Sequence, residues 1–79
     1  MRIDKFLKNS RLIKRRTVAK EACEQERITI NGKVAKPGSE VKVGDTIRIT
    51  FGNSEINARV LDLSESCKKE DAAGMYEIV

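Results

Sequence analysis

The stretch ITINGKVA, residues 28 to 35, constrains the fold more than any other part of this 79-residue chain. Ile28 and Ile30 alternate around Thr29 and run directly into Asn31-Gly32. A two-residue hairpin turn that matches the twist of its strands needs positive φ at both central residues, and Asn followed by Gly is the pair that adopts it most readily. The stretch therefore predicts a strand, a tight turn and a second short strand. Similar punctuation recurs downstream. KPGSE reads as a loop, Gly44-Asp45 as a turn, and the segment after it as a strand with Ile47, Ile49 and Phe51 on one face and Arg48 and Thr50 on the other. Gly52-Asn53 predicts another turn, followed by alternation at Ile56, Ala58 and Val60. The apolar phase then shifts to Leu61 and Leu63, which marks a bulge or the strand's end.

Upstream of the hairpin the period changes from two to helical. Ile3, Phe6, Leu7 and Ser10 predict a short amphipathic helix from Arg2 to about Ser10, with Leu12 and Ile13 anchoring the connection after it. Thr17 is the N-cap candidate for a second helix running from Thr17 or Val18 to about Gln25, with Val18, Ala19, Ala22 and Cys23 as its apolar stripe. In the tail, Ser66 to Ala73 suits one or two helical turns, with Gly74 ending them and Met75 to Val79 packing back as a strand. The expected architecture is one α+β domain over residues 1–79: two short helices packed on a small, mostly antiparallel sheet.

A chain of this size has room for one modest core. Aromatics are 4% of the residues and Trp is absent, so an aliphatic core is expected around Phe6, Phe51 and Tyr76. No apolar run approaches the roughly 18 residues of a membrane span, and the N-terminus lacks the apolar segment of a signal peptide. A cytoplasmic protein is the expectation. Cys23 and Cys67 stand far apart and histidine is absent, so neither a Cys/His zinc site nor a Cys-X-X-Cys redox motif can be built. A disulfide between them is formally possible, but in a reducing cytosol they read as ordinary small residues, Cys23 on an apolar helix face. No metal or other cofactor is expected.

The net charge of +4 conceals an asymmetry. Residues 1–20 carry eight cations and one anion, a charge of +7, whereas the remainder carries eight cations and eleven anions, a charge of −3. The cations Arg2, Lys5, Lys8, Arg11, Lys14, Arg15, Arg16 and Lys20 cluster on two helices and their joint. A surface that is merely soluble intersperses both signs. The start of the second helix adds backbone donors and the positive end of its dipole where Arg15, Arg16 and Lys20 converge, a favourable place for phosphate. An enzyme reading fares poorly: histidine, a nucleophile elbow and a phosphate loop are all missing, and the close acidic pairs read as solvated surface. The apolar faces are small and needed for the core, which weighs against membrane-surface binding. Arginine's planar fork grips phosphate in two places and stacks on bases. Glu21 and Glu24 along the second helix would repel a duplex backbone, so binding through the helix start and the joint suits an irregular or A-form RNA surface better than a DNA groove.

Four motifs in order carry a family resemblance: Arg2-x-Asp4-x-x-Leu7, Arg16-Thr17-Val18-Ala19, Ile28-x-Ile30-Asn31-Gly32 and Val41-x-x-Gly44-Asp45. Over residues 1 to about 50 the chain resembles the RNA-binding domain named after ribosomal protein S-four, also called the alpha-L motif. End to end it is similar to short free-standing members: relatives of heat-shock protein fifteen and, more closely, bacterial ribosome quality-control factors. The resemblance implies a protein that binds a large ribosomal subunit obstructed by peptidyl-tRNA, contacts large-subunit rRNA and the P-site tRNA, and assists an RqcH-type elongation partner in adding alanine to the stalled chain. A large-subunit recycling factor of the heat-shock type and an RNA-binding accessory subunit of an rRNA-modifying enzyme are the alternatives. Carried over by position, Arg2 and Arg16 are the principal RNA-binding residues, with Lys8, Arg11, Lys14, Arg15, Thr17 and Lys20 in support, in a protein expected to be monomeric when free. Glu26 departs from the pattern by standing where relatives often have a glycine helix cap.

Overall fold

The computed structural model describes residues 1–63 and 74–79. Within them two helices, α1 (Ile3–Asn9) and α2 (Arg16–Glu24), precede five strands: β1 (Ile28–Ile30), β2 (Lys33–Val34), β3 (Thr46–Phe51), β4 (Ser54–Val60) and β5 (Tyr76–Ile78). The strands form one sheet in the order β2-β1-β3-β4-β5, and every neighbouring pair is antiparallel. This is the α+β arrangement that the two sequence periods predict.

The register turns the alternating pattern into a single buried face. Ile30 pairs with Ile47, Ile28 with Ile49, and Ile47 with Ala58, so these side chains line the side that the helices cover. Ile28, Ile47, Ile49, Ala58 and Val60 are buried there, beneath Ile3, Phe6 and Leu7 of α1 and Ala19 and Cys23 of α2. Burying an aliphatic or aromatic side chain of this size contributes about 1.5–3 kcal/mol. Arg48 and Arg59 face the other way, where they meet Glu55 at 3.6 Å and Glu77 at 3.3 Å.

Asn31 and Gly32 both adopt positive φ, 52° and 83°, as the tight turn requires. Asn31 also does more than turn the chain. Its side-chain amide donates to Asp45 at 3.0 Å and its carbonyl oxygen accepts from the Thr46 N–H at 2.9 Å, which locks the β1–β2 hairpin to the start of β3. The phase shift after Val60 proves to be the end of β4. The Leu61 and Asp62 amides both donate to the Met75 carbonyl, at 2.8 and 3.2 Å, and the chain re-enters the sheet through buried Met75 as β5. The expected helical turns at Ser66 to Ala73, and Cys67, lie outside the described residues.

Two expectations are corrected. Phe51 is not a core residue: it is 43% exposed, because it pairs with Ser54 beside the Gly52-Asn53 turn, at the tip of the β3–β4 hairpin. Thr17 is not the N-cap of α2. The helix begins one residue earlier, with extended Arg15 at the cap position and the Arg15 carbonyl accepting from the Ala19 N–H at 3.0 Å. Burying Ala19 and Cys23, one turn apart, sets that phase, and Thr17 falls inside the first turn.

The two helix ends nearest the sheet and the joint are also defined. The Ile3 amide at the start of α1 donates to the Ser39 carbonyl at 2.8 Å, the Val41 amide returns a bond to the Met1 carbonyl at 3.0 Å, and Arg2 forms a bridge with Glu40. The loop after β2 thereby fixes Arg2. At the other end of α2, Glu26 N–H donates to the Cys23 carbonyl and Arg27 N–H to that of Ala22, the paired bonds of a Schellman cap, with Glu26 at φ 60° in the place usual for glycine.

Candidate nucleic-acid interface

Asp4 organises the basic corner. It lies in the first turn of α1, and its side chain is 3% exposed although it carries a charge. Such a group needs partners to stay ionised out of water, and three are in place. The Lys5 amide donates to Oδ1 at 2.8 Å. The Arg2 guanidinium approaches Oδ2 at 3.2 Å, and the Arg16 Nε approaches the same oxygen at 3.4 Å. Both arginines remain about half exposed, at 50% and 47%. Ion pairs this open to water add little to stability, about 0–1 kcal/mol each. Their effect is on position: one carboxylate relieves the repulsion between two guanidiniums and holds both with donor edges left over.

Arg2, Asp4, Arg16, Thr17 and Lys20 together line one surface pocket. Arg16 and Lys20 are one turn apart on α2 and so share a face. Arg2 comes from the cap position just before α1, where the bridge to Glu40 has fixed it. Among the described residues no side chain caps the N-terminus of α2, which leaves its first-turn amides open to an anion at the positive end of the helix dipole. The pocket thus combines fixed arginine forks, a lysine, a hydroxyl and backbone donors, a chemistry suited to phosphodiester groups.

Of the eight residues expected to contact RNA, the structure gathers Arg2, Arg16, Thr17 and Lys20 in that pocket. Lys8, Arg11, Lys14 and Arg15 are exposed outside it, along the last turn of α1 and the connection to α2. Among the described residues none of these four is paired with a carboxylate. Arg11 stands just beyond α1 at φ 62°, an unusual conformation for a residue with a Cβ. Asp4 is the organising residue of the corner that charge counting missed, since an isolated anion in a basic segment reads as incidental. Its signal was the Arg-x-Asp spacing, which places the acid between the arginine before α1 and the helix packed against it.

Comparison with known proteins identifies the family. Residues 1–47 match the model of the S4 domain. The chain is 56% identical over 79 residues to the RQC P-site tRNA stabilizing factor of Streptococcus pneumoniae, covering all of this chain and 90% of that protein. It is 54% identical to the protein of the same name from Bacillus subtilis, covering 92% of it. A heat shock protein 15 homolog from Aeromonas salmonicida is 37% identical over 78 residues, of which the chain spans 59%. Among solved structures, the trimeric heat shock protein 15 of Vibrio cholerae superposes with a TM-score of 0.91 at 28% identity, covering all of this chain and 81% of that one. The chain therefore belongs to the S4-domain family, in which the full-length relatives it matches at 54–56% identity carry the name RQC P-site tRNA stabilizing factor.

Proposed function

We propose that this protein binds RNA on the large ribosomal subunit, holding P-site peptidyl-tRNA against rRNA after the subunits have separated, and so supports alanine addition to the stalled chain by an RqcH-type partner. Its role is to bind and position, with the chemistry carried by the partner, and it acts as a single copy. The observation that carries the reading is the pair of half-exposed arginines, Arg2 and Arg16, fixed on one buried carboxylate beside Lys20 and the uncapped start of α2. Lys8, Arg11, Lys14 and Arg15 extend the surface as phosphate contacts. The names of the full-length relatives support the tRNA part of the reading.

Similarity to heat shock protein 15 supports a second reading, a subunit-recycling factor that engages a similar complex. The higher identity and fuller coverage of the tRNA stabilizing factors favour the first.

Co-sedimentation tests the proposal. Purified protein is expected to travel with large subunits carrying P-site peptidyl-tRNA in preference to vacant ones. About five phosphate contacts give a log-log salt slope of roughly −3.5 to −4.5 by counterion release. A flat salt response, or no preference for the tRNA-bearing subunit, overturns it.

A further inference from the structure

The face of α2 that turns away from the basic corner carries a second surface of different chemistry. Val18, Ala22 and Gln25 follow one another at helical spacing, and with Ile13, Thr50 and Phe51 they line a groove between α2 and the end of β3. Its apolar walls are open: Val18 is 45% exposed and Phe51 43%. A large aromatic at a strand tip, facing an exposed valine across a groove, is the kind of apolar exposure that calls for an explanation.

The charges around the groove indicate what it takes. Glu21 lines it, and Glu26 is exposed at the cap of the same helix, between the lining residues Gln25 and Arg27. Among the described residues neither acid is ion-paired, and Arg27 is the single cation in the lining. Phosphate backbones are repelled by such a rim. Basic protein segments are attracted to it, and an apolar floor with a charged rim is the usual anatomy of a protein interface. Glu26 occupies a left-handed position that glycine would fill without strain, so the acid is kept there against local preference.

We propose that this groove docks a protein: a basic segment of a large-subunit ribosomal protein that places an apolar side chain between Val18 and Phe51. The assignment of the partner to the large subunit rests on the proposed function; the assignment to protein rather than RNA rests on the groove. The molecule then holds RNA with one face of α2 and protein with the other, which fixes its orientation on the subunit as well as its affinity.

The test places a benzophenone photocrosslinker in the full chain at position 51 and mixes it with purified large subunits carrying peptidyl-tRNA. Sedimentation and crosslink identity are read from the same sample. Co-sedimentation with a crosslink to a lysine- or arginine-rich peptide of one ribosomal protein, lost in the Glu21→Gln/Glu26→Gln double variant, is the expected result. That double variant, and Phe51→Ser separately, should weaken subunit binding about tenfold while leaving binding to free tRNA within about twofold; all three positions are exposed enough for the fold to tolerate the changes. Co-sedimentation with crosslinks only to RNA, to a second copy of the chain or to nothing overturns the groove assignment and leaves the RNA reading standing. Failure to co-sediment at all overturns the subunit reading and the partner with it.

Discussion

Arg2, at the cap of α1, and Arg16, in the first turn of α2, meet on a single carboxylate oxygen, Oδ2 of Asp4, at 3.2 and 3.4 Å. The relationship makes the basic corner a built site rather than an accumulation of charge. Arg2 is fixed from one side by the backbone bridge to Glu40 and from the other by Asp4. Arg16 is fixed by the first turn of α2 and by the same acid. Both keep donor edges free for phosphate.

Asp4→Asn separates this account from one based on charge alone. The substitution raises the positive charge of the corner, so charge counting predicts tighter RNA binding. Loss of the shared anchor predicts weaker binding, by several-fold, because both guanidiniums lose their fixed geometry. Loss of charge-assisted hydrogen bonds to a buried group should also lower stability by about 1–2 kcal/mol. Filter binding and urea denaturation measure the two effects.

Arg16→Ala should weaken binding to tRNA-bearing large subunits and reduce the magnitude of the salt slope by about 0.7–0.9, the contribution of one phosphate contact. Its stability should change by under about 1 kcal/mol, since the side chain is half exposed and Arg2 still pairs Asp4. Arg16→Lys keeps the charge without the planar fork and should fall between the two. Circular dichroism confirms the fold, and unchanged binding in Arg16→Ala would remove this residue from the site.

Glu26→Gly should stabilise the protein. Glu26 sits at φ 60° in the Schellman cap of α2, and the left-handed conformation costs a residue with a Cβ about 1–2 kcal/mol. Glycine loses part of that gain to its greater freedom in the unfolded chain. A net gain of about 1 kcal/mol corresponds to roughly 4–8 °C in Tm for a domain of this size. Thermal denaturation is the measurement, and a lowered Tm contradicts the strain argument.

Cys23 gives the structure an alkaline dependence. Burial against the sheet, with the nearby negative charges of Asp4 and Glu24 adding to it, pushes its thiol up to about 11 from 9.0. As pH rises past 9 the unfolded chain's thiol ionises while the folded one stays protonated. Its contribution to stability is thus complete below that pH and is lost as pH rises through about 11. Urea midpoints of the wild type and Cys23→Ala should therefore converge between pH 8 and 10.5; a constant difference contradicts the shift.

Residues with strong local preferences were the legible ones. Asn31-Gly32 fixed a hairpin whose φ values are those the pair prefers, and the alternation at Ile47, Ile49, Ile56 and Ala58 placed β3 and β4 on one buried face. The first two motifs singled out Arg2 and Arg16, which share one pocket and one carboxylate. What stayed hidden depends on contacts between elements. Thr17 has the chemistry of a cap, but the burial of Ala19 and Cys23 starts α2 at Arg16. Phe51 continues the alternation of β3 to the hairpin tip, where it lines an open groove beside α2 instead of the packed core, so its period is right and its burial is not. The Arg-x-Asp spacing marks Asp4 beside Arg2, but its second partner, Arg16, arrives only when α2 packs against α1, an event that no local pattern encodes.

The central claim, that the corner around Asp4 grips RNA on the tRNA-bearing large subunit, is tested most directly by ultraviolet crosslinking of the tagged protein in cells, with sequencing of the attached RNA. The account predicts reads on large-subunit rRNA together with tRNA in the wild type, and their joint loss in an Arg2→Ala/Arg16→Ala variant that remains folded. Reads confined to small-subunit rRNA or messenger RNA, or large-subunit and tRNA reads unchanged in that variant, would contradict it.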